Sequence, residues 1–165
     1  RDVLGSRGLG DVYKRQEQYA LLASDGSMAG YVVDCTERYS VAMSVLNTSF
    51  RASGKLAGSD YFGSIYWDGG DQHTVVLDEL SKYADPQPGQ EVVTTGFSQY
   101  FPADVLIGWV ESASLNETRT AYTVRVRLAA EMSRLNEVVL VGNRDFYEIR
   151  NLQQSEQIEQ HTRND

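Results

Sequence analysis

A single cysteine, Cys35, stands among 165 residues, so no disulfide can staple this chain internally. Cys35 falls in an apolar strand pattern and reads as a small core residue, compatible with either redox compartment. Apolar runs of about eighteen residues are missing, as is a basic and then apolar leader, so the sequence contains neither a bilayer-spanning helix nor a signal peptide. Basic charge is also short: 15 Lys and Arg face 23 Asp and Glu, for a formal net charge of -8. Nucleic-acid phosphates would be repelled, and no basic patch is available for a membrane surface. Heptads, fixed-period repeats and sustained helical periodicity are absent too. Neither G-x-S-x-G nor G-D-S-G occurs, and the histidines are only His73 and His161. A β-barrel hydrolase, which needs a nucleophile, a base and an orienting carboxylate within reach of one another, is thereby disfavoured, and the chain reads as a non-enzyme.

What is present favours β-structure. Ten Tyr and many Val and Thr lie in short runs separated by Gly, Pro, Asn and Asp, which are the residues of tight turns. Tyr31 to Cys35 and Ser40 to Leu46 read as strands joined across Thr36 to Tyr39. Phe50 to Leu56 follows as a weaker strand, with Gly54 suggesting a bulge or bend. Phe62 to Trp67 and Thr74 to Leu77 flank an Asp68-Gly69-Gly70-Asp71 turn, and Asp78 to Tyr83 reads as a helical turn or loop. The clearest alternation is at Tyr122 to Leu128, where Tyr122, Val124, Val126 and Leu128 share one face and Thr123, Arg125 and Arg127 the other. Asn116 to Arg119 is its hairpin tip, and Val138 to Val141 is the last apolar run. Many short strands with few helical signals predict an all-β sandwich or small barrels.

Two clusters invite chemistry. Asp68, Asp71 and His73 could converge on a divalent ion if their loop curled back. The same residues are what a strand connection demands, because glycine supplies positive φ and Asp bonds its own backbone, and no second ligand cluster supports a metal. The other cluster is aromatic. Between Pro86 and Glu111 a Pro/Gly turn leads into the strand Glu91 to Thr95, then Gly96, then a loop carrying Phe97, Tyr100, Phe101 and Pro102, then a strand opening at Ile107-Gly108-Trp109-Val110. None of these four loop residues is an acid, base or nucleophile. Aromatics are enriched at the centres of interfaces, so Phe97, Tyr100, Phe101 and Pro102 are the candidate partner-binding residues, although most aromatics of such a chain fill barrel interiors. The Gly5, Gly8 and Gly10 spacing lacks the flanking strand and helix of a phosphate-binding loop.

The order Thr94-Thr95-Gly96, Phe101-Pro102 and Gly108-Trp109-Val110-Glu111 resembles the periplasmic β-domain of the MreC family of rod shape-determining proteins. Ser24-Asp25-Gly26 with Gly30-Tyr31-Val32-Val33, Val45-Leu46-Asn47, Gly54 to Leu56, Tyr61 to Gly69 and Leu128 to Leu140 agree with that family in the same order. The resemblance implies two small β-barrels of short antiparallel strands packed together, the first truncated. It implies a β-domain over residues 19–142, followed by a polar tail over 143–165. Residues 1–18 stand apart: R-G-L-G-D-V-Y-K-R-Q resembles peptide translated in error from sequencing-adapter DNA, and the opening Arg1 is what a fragment would show. By resemblance the chain is a scaffold of the cell-elongation complex without cofactor or metal. It would lie on the periplasmic side of the inner membrane, anchored by a segment absent here. Its implied partners are the elongation transpeptidase penicillin-binding protein with its glycosyltransferase, MreD, MreB and a second copy. The alternative is another periplasmic or extracellular β-barrel interaction module.

Overall fold

The computed structural model describes residues 18–98 and 100–142. The adapter-like leader, apart from Gln18, and the polar tail predicted from sequence lie outside the described residues. The described chain forms ten strands: β1 Tyr19–Ala23, β2 Met28–Cys35, β3 Ser40–Ser44, β4 Ala52–Leu56, β5 Phe62–Tyr66, β6 Thr74–Ser81, β7 Glu91–Thr94, β8 Leu106–Leu115, β9 Ala121–Leu128 and β10 Val138–Gly142. Six of them close a barrel in the order β4-β5-β6-β9-β8-β7, and the other four make an open sheet in the order β10-β1-β2-β3. The fold is therefore all-β, with one closed barrel and one open sheet where sequence resemblance implied two barrels. Every neighbouring pair is antiparallel. The chain builds β1 to β3 of the sheet, makes the whole barrel, and returns β10 to pair with β1, Tyr19 lying opposite Gly142.

Alternation explains both units. In β9 Val124, Val126 and Leu128 point into the barrel and are buried, as their spacing of two requires. They meet Leu56, Ile65, Val75, Leu77, Leu80, Val92, Ile107 and Val110 from the other strands, and the same apolar cluster continues into the sheet through Ala20, Leu22, Met28, Tyr31 and Val45. This larger core thus serves both units, while Tyr19 and Val32 form a small separate cluster within the sheet.

Two expectations need correction. Asp78 to Tyr83 is not a helical turn: β6 runs on to Ser81, and only Lys82–Ala84 forms a 3-10 turn. The strand is disguised because its pairing with β9 shifts register between Leu77 and Leu80, and Glu79 there takes a φ of 60°. A polar bulge therefore interrupts the apolar pattern. Gly54 marks no bulge either. It pairs in register with Gly63 and Thr94, and a Cβ there would come within 2.8 Å of the Ile65 side chain, so its role is to let β4 lie close over the packed interior.

Candidate partner-binding surface

The aromatic loop between β7 and β8 is held at its base by Thr94. This buried threonine donates its hydroxyl to the Pro102 carbonyl at 2.6 Å and accepts from the Val105 amide at 2.9 Å. Its own amide and carbonyl bond Val105 O and Asp104 N, each at 2.9 Å. A side chain that satisfies itself on both ends of a loop removes the desolvation cost of burying the hydroxyl and fixes the loop's shape. Gly96 opens the turn with φ 83° against Ala103, a conformation that side-chain-bearing residues rarely adopt. The Thr-Thr-Gly…Phe-Pro pattern is thus a folded strap.

The strap sorts its aromatics into two sets. Phe101 is 1% exposed and Pro102 is buried, while Tyr100 is half-buried and stacks on Tyr31 with ring centroids 3.9 Å apart. Tyr31 also stacks on Phe50 at 4.9 Å, and both meet Phe101 edge-on. These four rings seat the barrel on the sheet. Burial raises the Tyr100 phenol above its ordinary pKa, with a further push from Tyr31. The expected exposure of Phe101 and Pro102 is therefore corrected, and that of Tyr100 reduced: their loop folds back into the core because Thr94 ties its two ends together. Phe97 alone of the four candidates stands out, at 71% exposed.

Phe97 does have a companion outside the four residues chosen from the sequence. Its ring lies 5.2 Å from that of Phe62 at an interplanar angle of 84°, and Phe62 is itself 52% exposed with Tyr61 beside it. Phe62 sits on the outward face of β5 opposite Lys55 of β4, and Lys55 approaches the Asp104 carboxylate at 3.9 Å. An apolar pair with a charged margin is the anatomy of a protein contact, where a desolvated centre is rimmed by polar groups. The signal for Phe62 was an aromatic on the solvent side of an alternating strand, but its pairing with Phe97 follows only from barrel closure through β4 and β7.

The acidic turn does structural work. Asp68 accepts from the Gly70 amide at 3.0 Å and meets Arg125 at 3.3 Å; the backbone bond first, then the guanidinium, holds its carboxyl below the usual range. Asp71 accepts from the His73 amide at 2.8 Å, and Trp67 Nε1 donates to the Asp71 carbonyl at 3.0 Å. Among the described residues no three His, Cys, Asp or Glu side chains gather as metal ligands would. Further along the barrel wall, Asp78 accepts from the Tyr66 hydroxyl at 3.2 Å and the Thr123 hydroxyl at 2.9 Å. Burial, followed by the Asp78 charge, raises the Tyr66 phenol.

A six-stranded barrel joined to an open four-stranded sheet through an aromatic strap defines a bipartite β-domain that exposes a pair of aromatic rings on its barrel. The model of the rod shape-determining protein MreC, barrel core, matches residues 10–142, and the chain belongs to that family. It is 30% identical over 92 residues to the cell shape-determining protein MreC of Listeria monocytogenes, a match covering 55% of this chain and 31% of that protein. The chain thus spans about a third of the relative's length. Solved structures share the fold: MreC of Pseudomonas aeruginosa at TM-score 0.66 and 20% identity, covering 74% of this chain and 78% of that one. Listeria MreC gives 0.67 and 24%, covering 77% and 60%. MreC from Helicobacter pylori, solved in complex with the penicillin-binding protein PBP2, gives 0.62 and 21%, covering 74% and 76%. Among the described residues no helix is long and apolar enough to cross a membrane.

Proposed function

We propose that this chain is a non-enzymatic scaffold of the bacterial cell-elongation complex, and that it positions peptidoglycan synthases from the periplasmic side of the inner membrane. The anchor would be a segment other than the one described, and residues 19–142 would be the binding unit. Its partners would be the elongation transpeptidase penicillin-binding protein, MreD, MreB and a second copy of itself. Membership of a cell-shape family supports this reading, and so does the Helicobacter relative's complex with a penicillin-binding protein. The observation that carries it to particular residues is the exposed Phe62–Phe97 pair. Two rings held edge to face offer a large apolar area with little side-chain entropy left to lose.

Titration of the purified chain with the soluble periplasmic part of its own organism's elongation transpeptidase tests the proposal. Phe97→Ala should weaken binding by about 2 kcal/mol, the loss expected of an interface hot spot, with unchanged thermal stability. Absence of binding by the parent chain would overturn the partner. Unaltered affinity in both Phe97→Ala and Phe62→Ala would overturn the surface.

A further inference from the structure

The wall of the barrel made by β7, β8 and β9 carries an aromatic ring that belongs neither to the core nor to the Phe62–Phe97 pair. Trp109 is 38% exposed, whereas Val110 beside it is buried in the barrel, so alternation along β8 turns the indole outward. It stands opposite Glu91 of β7 on one side and Arg127 of β9 on the other, both exposed. The three side chains thus form one row across the wall, with about 5 Å between neighbouring strands. Bulges bracket the row: the β7–β8 pairing shifts between Val92 and Val93, and the β8–β9 pairing between Val110 and Ser112. Irregularities of this kind re-aim side chains and are frequent beside active sites.

The two charges of the row are unused. Among the described residues neither the Glu91 carboxylate nor the Arg127 guanidinium has a hydrogen-bond or ion-pair partner. Arg125, two residues away on the same face of β9, is in contrast committed: it donates to the Thr74 hydroxyl at 3.0 Å and to the Asp68 carboxylate at 3.3 Å. Gly108 fixes the row, because a Cβ there would strike the Arg127 carbonyl, and β8 lies that close to β9 only without one. A ring held on a strand, with a free acceptor on one side and free donors on the other, is a preorganised stacking platform.

We propose that Trp109, Glu91 and Arg127 bind a glycan, stacking an uncharged pyranose ring on the indole while its hydroxyls donate to Glu91 and accept from Arg127. A hydroxyl both gives and takes hydrogen bonds, so one sugar satisfies both flanking groups, and the C–H face of a pyranose supplies the apolar contact that the indole offers. The wall is an open sheet face, so it suits a polymer lying across the strands better than a small molecule, which needs a concave site around it. It suits a protein partner less, because the centre of a protein interface is depleted of charge. Here unpaired charges adjoin the indole directly and would be costly to bury. Nucleic acid, another polymer that stacks on aromatics, is opposed by the net charge of -8. The row shares no residue with the Phe62–Phe97 surface, and the glycan reading does not depend on transpeptidase binding there.

Calorimetric titration of the whole chain with two uncharged oligosaccharides, cellohexaose and chitohexaose, tests it. The expected result is saturable binding of at least one of them, weakened about tenfold or more in Trp109→Ala. Glu91→Gln and Arg127→Ala should each weaken it by less, with thermal stability unchanged. Where Trp109→Ala fails to fold, these two exposed substitutions carry the test. Phe97→Ala should bind the sugar as the parent chain does. Absence of binding of either probe at millimolar concentration overturns the proposal, and so does affinity unaltered in all three wall variants. A parent chain that binds neither sugar, with transpeptidase binding lost in a folded Trp109→Ala, makes the wall a protein contact and overturns it likewise.

Discussion

The barrel and the sheet are made of similar strands but bury their backbone polarity by different means. The barrel has no edge: β7 pairs β4 and closes the ring, so all six strands have neighbours on both sides. The sheet ends in β3 and β10 and carries exposed apolar residues on both, Val41 on one and Val138 and Val139 on the other. Its fourth strand also arrives only after the barrel has been made, since β10 follows β9 in the chain. The barrel closes its own hydrogen-bond ladder, whereas the sheet is completed by a strand that follows the barrel and is joined to it through the shared apolar cluster and the aromatic strap. Stability is therefore expected to be graded, with the sheet opening at lower cost.

The largest blow to that arrangement is Phe101→Ala. Removing a fully buried ring that meets both Tyr31 and Phe50 edge-on should cost about 3–5 kcal/mol. Amide exchange should locate the damage, with protection in Tyr31 to Cys35 and Ser40 to Ser44 falling more than in Tyr122 to Leu128. Equal loss in both regions would mean that barrel and sheet unfold as one unit, and the contrast between them would be lost.

Thr94→Val is the next smaller perturbation. It keeps the shape of the side chain and removes the hydroxyl that serves Pro102 O and Val105 N, leaving both buried backbone groups short of a partner at about 1–3 kcal/mol. Because the strap carries Tyr100 and Phe101 to the sheet and Phe97 to the surface, the variant should loosen the joint and weaken transpeptidase binding together. Denaturant unfolding gives the first effect and titration the second. Full binding in a destabilised Thr94→Val chain would show that Phe97 does not depend on the strap.

Much of the barrel was legible: β5 and β9 carry alternation, β7 is a β-branched run bounded by turn residues, and these strands and the tip between β8 and β9 stand where those patterns put them. Reading failed where local chemistry served a distant partner. Asp78 and Glu79 look like a loop because a bulge places polar residues mid-strand. Tyr100 and Phe101 look like surface because loops usually are, yet a single threonine turns theirs inward. The return of β10 to β1, which completes the sheet, is a pairing over more than a hundred residues that no local pattern encodes. The Phe62–Phe97 contact was hidden for the same reason, since each ring alone is an unremarkable exposed aromatic.

The smallest expected effect is on pH dependence, and its acid and alkaline limbs come from different groups. Asp68, on the barrel, has its carboxyl lowered by the Gly70 amide and then by Arg125. Its contribution is present above the unfolded carboxylate value, about 3.9, and is lost as pH falls through the lower folded one. The Tyr100 phenol, at the joint, is raised by burial and then by Tyr31. Its contribution is complete below the unfolded value of about 10 and is lost as pH rises toward the higher folded one, because the unfolded chain releases that proton first. Tyr66 on the barrel wall acts in the same alkaline direction. Asp68 is partly exposed beside Arg125, and such surface pairs contribute about 0–1 kcal/mol, so Asp68→Asn should change acid stability only slightly. Tyr100→Phe keeps the stacked ring and removes the ionisable group. Above pH 10 it should therefore preserve exchange protection in β2 and β3 that the parent chain loses, while the barrel remains sensitive through Tyr66. If the parent's β2 and β3 lost no protection as tyrosines ionised, or if Tyr100→Phe did not restore it, Tyr100 would not be the group that ties the sheet to the barrel.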